Sequence, residues 1–326
     1  MNGLRIGIVG TGNIAGTLAA ACKLTPGVCA AAVASRSLET GRRFAAENDI
    51  PLVFEGVTAL AQSGAVDLVY VATPHTAHFE TCMAALQAGM PVLCEKPMTT
   101  RKADAEALFA EAKARGLFLM EGMWPRFLPG SIQAKQWIEA GRIGKVRFID
   151  AIYSYAVDPA NVKPRLVDPA LAGGSTFDLG VYTVEMASYY AGADPQEWTG
   201  FATPYQSGSD ATAVLALRYP GEILATLRTG LVCNAPVQMT IQGDRGRIEL
   251  PRFFLANDVL LYEGAALTEH YHEEFVLPKG FCWQLAAVRD ALAAGLTEHP
   301  LVPAASTIAT AGVLEGMMHR FFPAYY

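Results

Sequence analysis

No basic tract runs through this chain of 326 residues, whose 25 lysines and arginines face 31 aspartates and glutamates for a net charge of −6. A nucleic-acid surface needs clustered cations to replace the counterions on phosphates, so no nucleic-acid partner is expected. No apolar run approaches the roughly 18 residues that a membrane-spanning helix requires, and no membrane partner is expected. An apolar strand that starts at Leu4 leaves no room for a signal peptide, which predicts a cytoplasmic protein. The six cysteines (Cys22, Cys29, Cys82, Cys94, Cys233 and Cys282) never form C-x-x-C. Reduced thiols, mostly in apolar surroundings, and no metal centre are therefore expected. Repeats, low-complexity tracts and long linkers are also missing. What is present is a 52% hydrophobic chain, enough for a sizeable core, with a length that predicts two domains at roughly 150 residues each.

The first informative stretch is Leu4-Arg-Ile-Gly-Ile-Val-Gly10-Thr11-Gly12-Asn13-Ile14-Ala15-Gly16. Ile6, Ile8 and Val9 read as a buried strand, Gly10 and Gly12 as a tight turn, and Asn13 onward as a helix. Glycines let the backbone approach a pyrophosphate closely, and the free N–H groups of a helix start point at it. The pattern G-x-G-x-x-A between a strand and a helix is the context that dinucleotide binding requires. Gly10, Thr11, Gly12, Asn13 and Ile14 are the expected cofactor contacts. The bland alternative is an ordinary glycine turn in another α/β fold.

A second apolar strand, Val28 to Ala34, ends in Ser35-Arg36-Ser37. An Asp or Glu commonly meets a free ribose hydroxyl at this position. A hydroxyl and a guanidinium stand here instead, as a phosphorylated ribose would need. The expected cofactor is NADP rather than NAD. On the other reading Ser35 caps the next helix and Arg36 is solvated; Ser37 is also a candidate cap.

Strands near Leu52–Phe54, Val66–Ala72, Pro91–Cys94 and Leu117–Met120 alternate with helices, which predicts a doubly wound parallel sheet. Ligands sit beyond the carboxyl ends of such strands. Thr73, Pro74 and His75 follow one strand, Glu95 and Lys96 follow the next, and Glu121 follows the last. Thr73 or Thr76 is expected to cap the helix carrying Phe79, Met83 and Leu86. Further on, helices are expected over Phe127–Ala140, Phe177–Tyr190, Phe281–Ala294 and Ser306–Phe321. Strands are expected at Val146–Tyr155, Trp198–Ala202, Ala211–Tyr219, Glu222–Thr229, Val237–Ile241, Arg247–Leu250, Val259–Tyr262 and His272–Val276. Their short connections imply a mainly antiparallel sheet. The expected division is a dinucleotide-binding Rossmann domain over 1–122 and a substrate-binding and dimerisation domain over 123–326, the latter an α+β domain with a large open sheet.

G-T-G-N-I-A, S-R, A-T-P-x-x-x-H and Glu95-Lys96-Pro97, in this order and spacing, resemble the glucose–fructose oxidoreductase/inositol dehydrogenase (Gfo/Idh/MocA) family. Glu121-Gly-Met-Trp124-Pro-Arg126-Phe and Gly173-Gly-Ser-Thr-Phe-Asp178-Leu-Gly-Val-Tyr182 are similar to the branch that holds dimeric dihydrodiol dehydrogenase and NADP-linked xylose dehydrogenase. The matches run from Ile6 to Tyr182; Gly122 stands where that branch commonly has Ala. The resemblance implies hydride transfer between a nicotinamide and a CH–OH carbon of a sugar, polyol or vicinal diol. It also implies an open C-terminal sheet that pairs face to face in a homodimer. An inositol-type dehydrogenase and a non-catalytic dinucleotide sensor are the alternatives.

The resemblance brings Asp178 and Tyr182, four apart on one expected helix, over the nicotinamide beside Lys96. Tyr182 is the candidate acid/base. An unperturbed tyrosine titrates near pH ~10, and a shift of ~2 units asks for about 3 kcal/mol, a magnitude the Lys96 ammonium can supply in a desolvated cleft. Lys96 can instead donate to the substrate oxygen, and Asp178 can orient Lys96 or bind a neighbouring hydroxyl. Glu95 is expected either at the nicotinamide ribose or paired with a lysine. Trp124 and Arg126 are expected to line the substrate pocket, the alternative being packing at the domain junction. His78 is left outside the chemistry, and Lys96–Pro97 is a candidate cis bond.

Overall fold

The computed structural model describes residues 3–325, and the chain divides into two compact units. The first holds residues up to Thr99, Ala103–Trp124 and Val276–Ala304; the second holds Thr100–Lys102, Pro125–Phe275 and the chain from Ala305.

The first unit alternates strands and helices: β1 (Leu4–Val9), α1 (Asn13–Leu24), β2 (Val28–Ser35), α2 (Leu38–Asn48), β3 (Leu52–Glu55), α3 (Val57–Ala61), β4 (Leu68–Val71), α4 (His78–Gln87), β5 (Val92–Cys94), α5 (Lys102–Arg115) and β6 (Leu119–Glu121). The six strands are all parallel, in the order β3-β2-β1-β4-β5-β6. Strands buried on both faces read as continuous apolar runs, and every residue of β4 and β5 is buried. Strand order reverses between β1 and β4, which makes the carboxyl ends of these two strands the topological switch point.

The second unit carries α6 (Pro129–Glu139), β7 (Val146–Ser154), α7 (Pro164–Val167), α8 (Val181–Ala191), β8 (Glu197–Pro204), β9 (Asp210–Tyr219), β10 (Ile223–Gly230), β11 (Gln238–Gly243), β12 (Gly246–Pro251), β13 (Asp258–Glu263) and β14 (Ala266–His272). Its eight strands run β14-β13-β12-β11-β7-β10-β9-β8, antiparallel except for the central β7–β10 pair. One face of this sheet is covered: α8 lies on β7 and β10, and α6 on β13. Leu215, Leu217, Ala225 and Leu227 point to that face, while Phe148, Phe201, Val214 and Leu224 are exposed on the other. The chain then returns to the first unit for α9 (Lys279–Ala293), which packs on α1, before α10 (Ala304–Phe321) covers β8 in the second unit.

Four expectations change. A single cut between 122 and 123 overlooks the return of residues 276–304 to the first unit. The last strand lies at Ala266–His272 rather than His272–Val276. That edge strand is solvated along almost its whole length, so it lacks the alternation that marks a half-buried strand, whereas Phe275 is buried in irregular chain. The helix expected over 177–190 opens with a π-helical turn, Thr176–Gly180. The helix expected from Phe127 begins at Pro129, after a 3-10 turn over Trp124–Phe127. Cys22, Cys82 and Cys94 are buried thiols, but Cys29 and Cys233 are exposed.

Candidate active site

In the first unit the strand ends fall in line. The N–H of Gly10 donates to the Ala34 carbonyl at 3.0 Å, that of Ala72 to Val9 at 2.8 Å, and that of Glu95 to Val71 at 2.9 Å. Gly10 has φ +113°, and a Cβ on it would stand 2.5 Å from the Ala72 carbonyl oxygen, so the turn itself demands glycine. Gly12 is different. It caps α1 at φ −81° and ψ 178°, a conformation open to any residue, and a Cβ there would meet no atom of the described residues within 4 Å. The fold does not require its bareness; a backbone that must come close to a diphosphate does. α1 has no acidic residue in its first turn and no side-chain cap on its opening N–H groups, which suits an anion. Thr11 and Ile14 are half-buried beside exposed Gly12 and Asn13.

At the end of β2, Ser35 is half-buried and Arg36 exposed. Ser37, not Ser35, caps α2, accepting from the Thr40 N–H at 3.5 Å. Neither Thr73 nor Thr76 caps α4: Pro74 leads into a 3-10 turn over His75–Ala77, and the cap residue is Ala77. The Thr73 hydroxyl is buried without a hydrogen-bond partner among the described residues. An unmet polar group at the switch point and a bare Gly12 together fit a bound dinucleotide.

Glu95 is buried and accepts from the Tyr70 hydroxyl. Burial pushes its carboxyl up, against the Tyr70 hydrogen bond and the Lys96 charge. The Lys96 backbone N–H approaches Glu95 Oε2 at 3.3 Å, and Lys96–Pro97 is cis. The Glu121 carboxylate accepts from the Met98 N–H at 2.7 Å. His78 is fully buried, with Nδ1 2.9 Å from the Pro97 carbonyl and Nε2 2.9 Å from the Thr73 carbonyl. It buttresses the two loops that carry Thr73 and Lys96. Burial pushes its pKa down, the two carbonyls opposing that shift. The buried Trp124 ring stacks on Phe281 of α9, with centroids 5.3 Å apart.

In the second unit, Asp178 lies within the π-helical turn and Tyr182 on the first turn of α8, both largely buried. The turn is pinned from below. Asp210 Oδ2 accepts from Ser175 Oγ at 2.6 Å, from the Thr176 N–H at 2.7 Å and from Thr176 Oγ1 at 2.9 Å. Gly174, at φ +131°, leaves space that the Asp210 carboxylate occupies. Burial raises the Asp210 carboxyl above its ordinary range, against these donors. The Tyr155 hydroxyl reaches Asp178 Oδ2 at 3.5 Å, and Arg165 Nη1 lies 3.6 Å from Oδ1. The Tyr153 ring sits 5.8 Å from that of Tyr182 and stacks on Phe254 at 4.9 Å.

Tyr153, Tyr155, Arg165, Asp210 and Phe254 are not among the residues expected from the sequence. The alternation of β7 could have found the tyrosines, since residues two apart share a strand face. Nothing local marks Arg165 or Phe254. Arg126 departs from the expectation of a pocket-lining guanidinium. It is buried, ion-paired to Glu185 at 2.7 Å, and donates to the Glu185 carbonyl at 2.7 Å and to Ser306 Oγ at 2.9 Å. Its Nη2 faces three interior acceptors, which is the packing role held open above.

A parallel sheet with its glycine turn, a cis-proline loop bearing Lys96, and an open sheet beneath an Asp-x-x-x-Tyr segment define a nicotinamide-dependent oxidoreductase of two units. Residues 4–123 match the family model described as "Oxidoreductase family, NAD-binding Rossmann fold", and residues 131–249 match the GFO/IDH/MocA C-terminal domain. The chain belongs to the GFO/IDH/MocA oxidoreductase family. It is 32% identical to the trans-1,2-dihydrobenzene-1,2-diol dehydrogenase of Sus scrofa, over 96% of this chain and 95% of that one. Among solved structures it is similar to KijD10, a 3-ketoreductase from Actinomadura kijaniata in complex with TDP-benzene and NADP. The TM-score is 0.81 at 29% identity, covering 96% of each chain. It shares the fold of the aldose-aldose oxidoreductase from Caulobacter crescentus, with a TM-score of 0.86 at 24% identity over 97% of each chain. Among the described residues no helix is long and apolar enough to cross a membrane.

Proposed function

We propose that the chain is a cytoplasmic NADP-dependent dehydrogenase that acts on a CH–OH carbon of a cyclic sugar, polyol or vicinal diol. The observation that carries this reading is the likeness to a dihydrodiol dehydrogenase along 96% of the chain, with Lys96, Asp178 and Tyr182 all present. The first unit holds the dinucleotide: Gly10 to Ile14 at the diphosphate, Ser35 and Arg36 at the ribose phosphate, Thr73, Pro74, His75 and Glu95 toward the nicotinamide half. NADP is favoured over NAD because the end of β2 offers an exposed guanidinium and no carboxylate. Arg36→Asp is expected to lower the preference for NADP over NAD by about tenfold or more, the loss of one charge-assisted contact; unchanged selectivity removes Arg36 from this role.

The bound nicotinamide supplies hydride transfer. Lys96 donates a hydrogen bond to the substrate oxygen and stabilises negative charge on it. Tyr182 Oη takes the hydroxyl proton in oxidation and returns it in reduction. Asp178, flanked by Tyr155 and Arg165, binds a neighbouring hydroxyl. The second unit carries Asp178 and Tyr182 and pairs two copies through the exposed sheet face bearing Phe148, Phe201, Val214 and Leu224, while Trp124 of the first unit contributes an aromatic wall to the substrate contacts.

The test is absorbance of the reduced nicotinamide with a panel of aldoses, inositols and vicinal diols, run with NADP and with NAD. Turnover with an aldose or diol and NADP supports the reading. Turnover only with inositols moves the chain to the other branch, and tight NADP binding without any turnover makes it a sensor.

A further inference from the structure

Far along the chain, the β13–β14 hairpin gathers three ligating side chains that the proposed reaction does not use. Asp258 opens β13, and His270 and His272 lie two apart on β14. Asp258 pairs directly with His272, and Leu260 with His270. Val259 and Leu261 are buried on the covered face of the sheet, so the alternating Asp258, His270 and His272 all stand on the opposite, solvent side. One oxygen, Asp258 Oδ1, lies 2.9 Å from His270 Nε2 and 2.8 Å from His272 Nδ1. One ligand atom from each residue falls within 4.8 Å of the others.

We propose that Asp258, His270 and His272 bind a borderline divalent transition-metal ion, with Zn2+ as the best match. Two imidazoles and one carboxylate form a ligand set that such ions take with an open position. Bonds of about 2.0–2.2 Å put neighbouring tetrahedral ligands roughly 3.3–3.5 Å apart. The two oxygen–nitrogen separations of 2.9 and 2.8 Å open by roughly half an ångström, the ligand atoms, all within 4.8 Å of one another, settle to that common spacing, and both histidines are exposed and can turn to do so. Solvent fills the remaining position. An ionised carboxylate oxygen can accept from both rings; a cation would take the place of those two shared protons and bind all three side chains at once.

The backbone under the cluster is fixed in advance. The buried Asn257 side chain donates to the Glu273 carbonyl at 2.9 Å and to the Phe275 carbonyl at 3.3 Å, and the Glu273 N–H donates to the Asn257 carbonyl at 2.9 Å. The residues immediately before Asp258 and after His272 are thus tied together, and little chain entropy opposes binding. The ion would clip the edge strand β14 to β13. An edge strand otherwise has hydrogen-bonding partners on one side alone.

The experiment is titration of the purified full-length protein with Zn2+ by calorimetry and with Co2+ by visible absorption, alongside His270→Ala, His272→Ala and Asp258→Asn. The wild type is expected to take one ion per chain, with a Co2+ spectrum free of thiolate charge-transfer bands and a melting temperature that rises with Zn2+. Each variant should lose at least tenfold in affinity and most of the thermal shift. Cys29→Ser/Cys233→Ser, which removes both exposed thiols, should bind as the wild type does. No saturable binding, or binding that survives the three hairpin substitutions or disappears with the cysteine pair, overturns the proposal. Circular dichroism of each variant separates a lost site from a lost fold, and dehydrogenase turnover plays no part in the readout.

Discussion

The two sheets solve the same problem by different means. In the parallel sheet every strand runs the same way, so Gly10, Thr73 and Lys96 follow the carboxyl ends of β1, β4 and β5 as a by-product of topology. The open sheet has no such shared end. The segment proposed to react is made locally, by a π-helical turn whose start is held on the buried Asp210. Where direction gathers the groups, ordinary strands suffice; where it does not, an irregular turn and a buried anchor must replace it.

The sharpest way to break this contrast is to remove one proposed reacting group from each unit. Lys96→Met and Tyr182→Phe are each expected to lower kcat by about 10²–10⁴, the usual worth of a positioned proton donor or acceptor. Steady-state kinetics with dinucleotide affinity held within a few-fold checks it, and a near-normal rate in either variant removes that residue from the chemistry. Next in size is Glu185→Ala, which strands Arg126 in the interior of the second unit. A loss of about 3–5 kcal/mol is expected in urea unfolding; a change below about 1 kcal/mol would show that Ser306 and the Glu185 carbonyl suffice for the guanidinium.

A smaller effect separates fold from ligand in the first unit. Gly12→Ala should leave stability within about 0.5 kcal/mol, because its dihedrals suit alanine and its Cβ points into open space. Dinucleotide affinity, by contrast, should fall about tenfold or more, about 1.4 kcal/mol, measured by fluorescence titration. The least effect concerns pH. A histidine whose folded pKa is depressed binds fewer protons in the native state, so its contribution is present above about pH 6.5 and is lost as pH falls below it. Stability of the first unit should decline there by at most about 1.4 kcal/mol per pH unit. His78→Gln should flatten that slope, and an equal slope in the variant assigns it to other groups.

The parallel sheet was legible because its strands are buried on both faces and its turns are spelled in glycine. Gly10 is written into the backbone by a positive φ and Ser37 by its cap. The alternating strands from β7 to β13 were legible for the complementary reason, one wet face and one dry. Edge strand β14 was misplaced because both its faces are wet. Asp178 and Tyr182 stood out by resemblance, but their surroundings did not: Asp210 reaches the turn from 32 residues beyond Asp178, and Phe254 meets Tyr153 from about a hundred residues away. Arg126 misled because a guanidinium is equally suited to a sugar hydroxyl and to a buried carboxylate, and only the position of Glu185 decides between them.

The return of residues 276–304 to the first unit sets a timetable for synthesis. A ribosome releases all six parallel strands before the eight-stranded sheet is complete, yet helix α9 and the Phe281 ring that Trp124 needs emerge only after β14. A nascent chain halted at Phe275 would therefore leave α1 uncovered on the side that α9 protects. The unit translated first must wait, with that apolar side of α1 uncovered, for one of the last helices to be made, and uncovered apolar surface of this kind is prone to aggregate during synthesis.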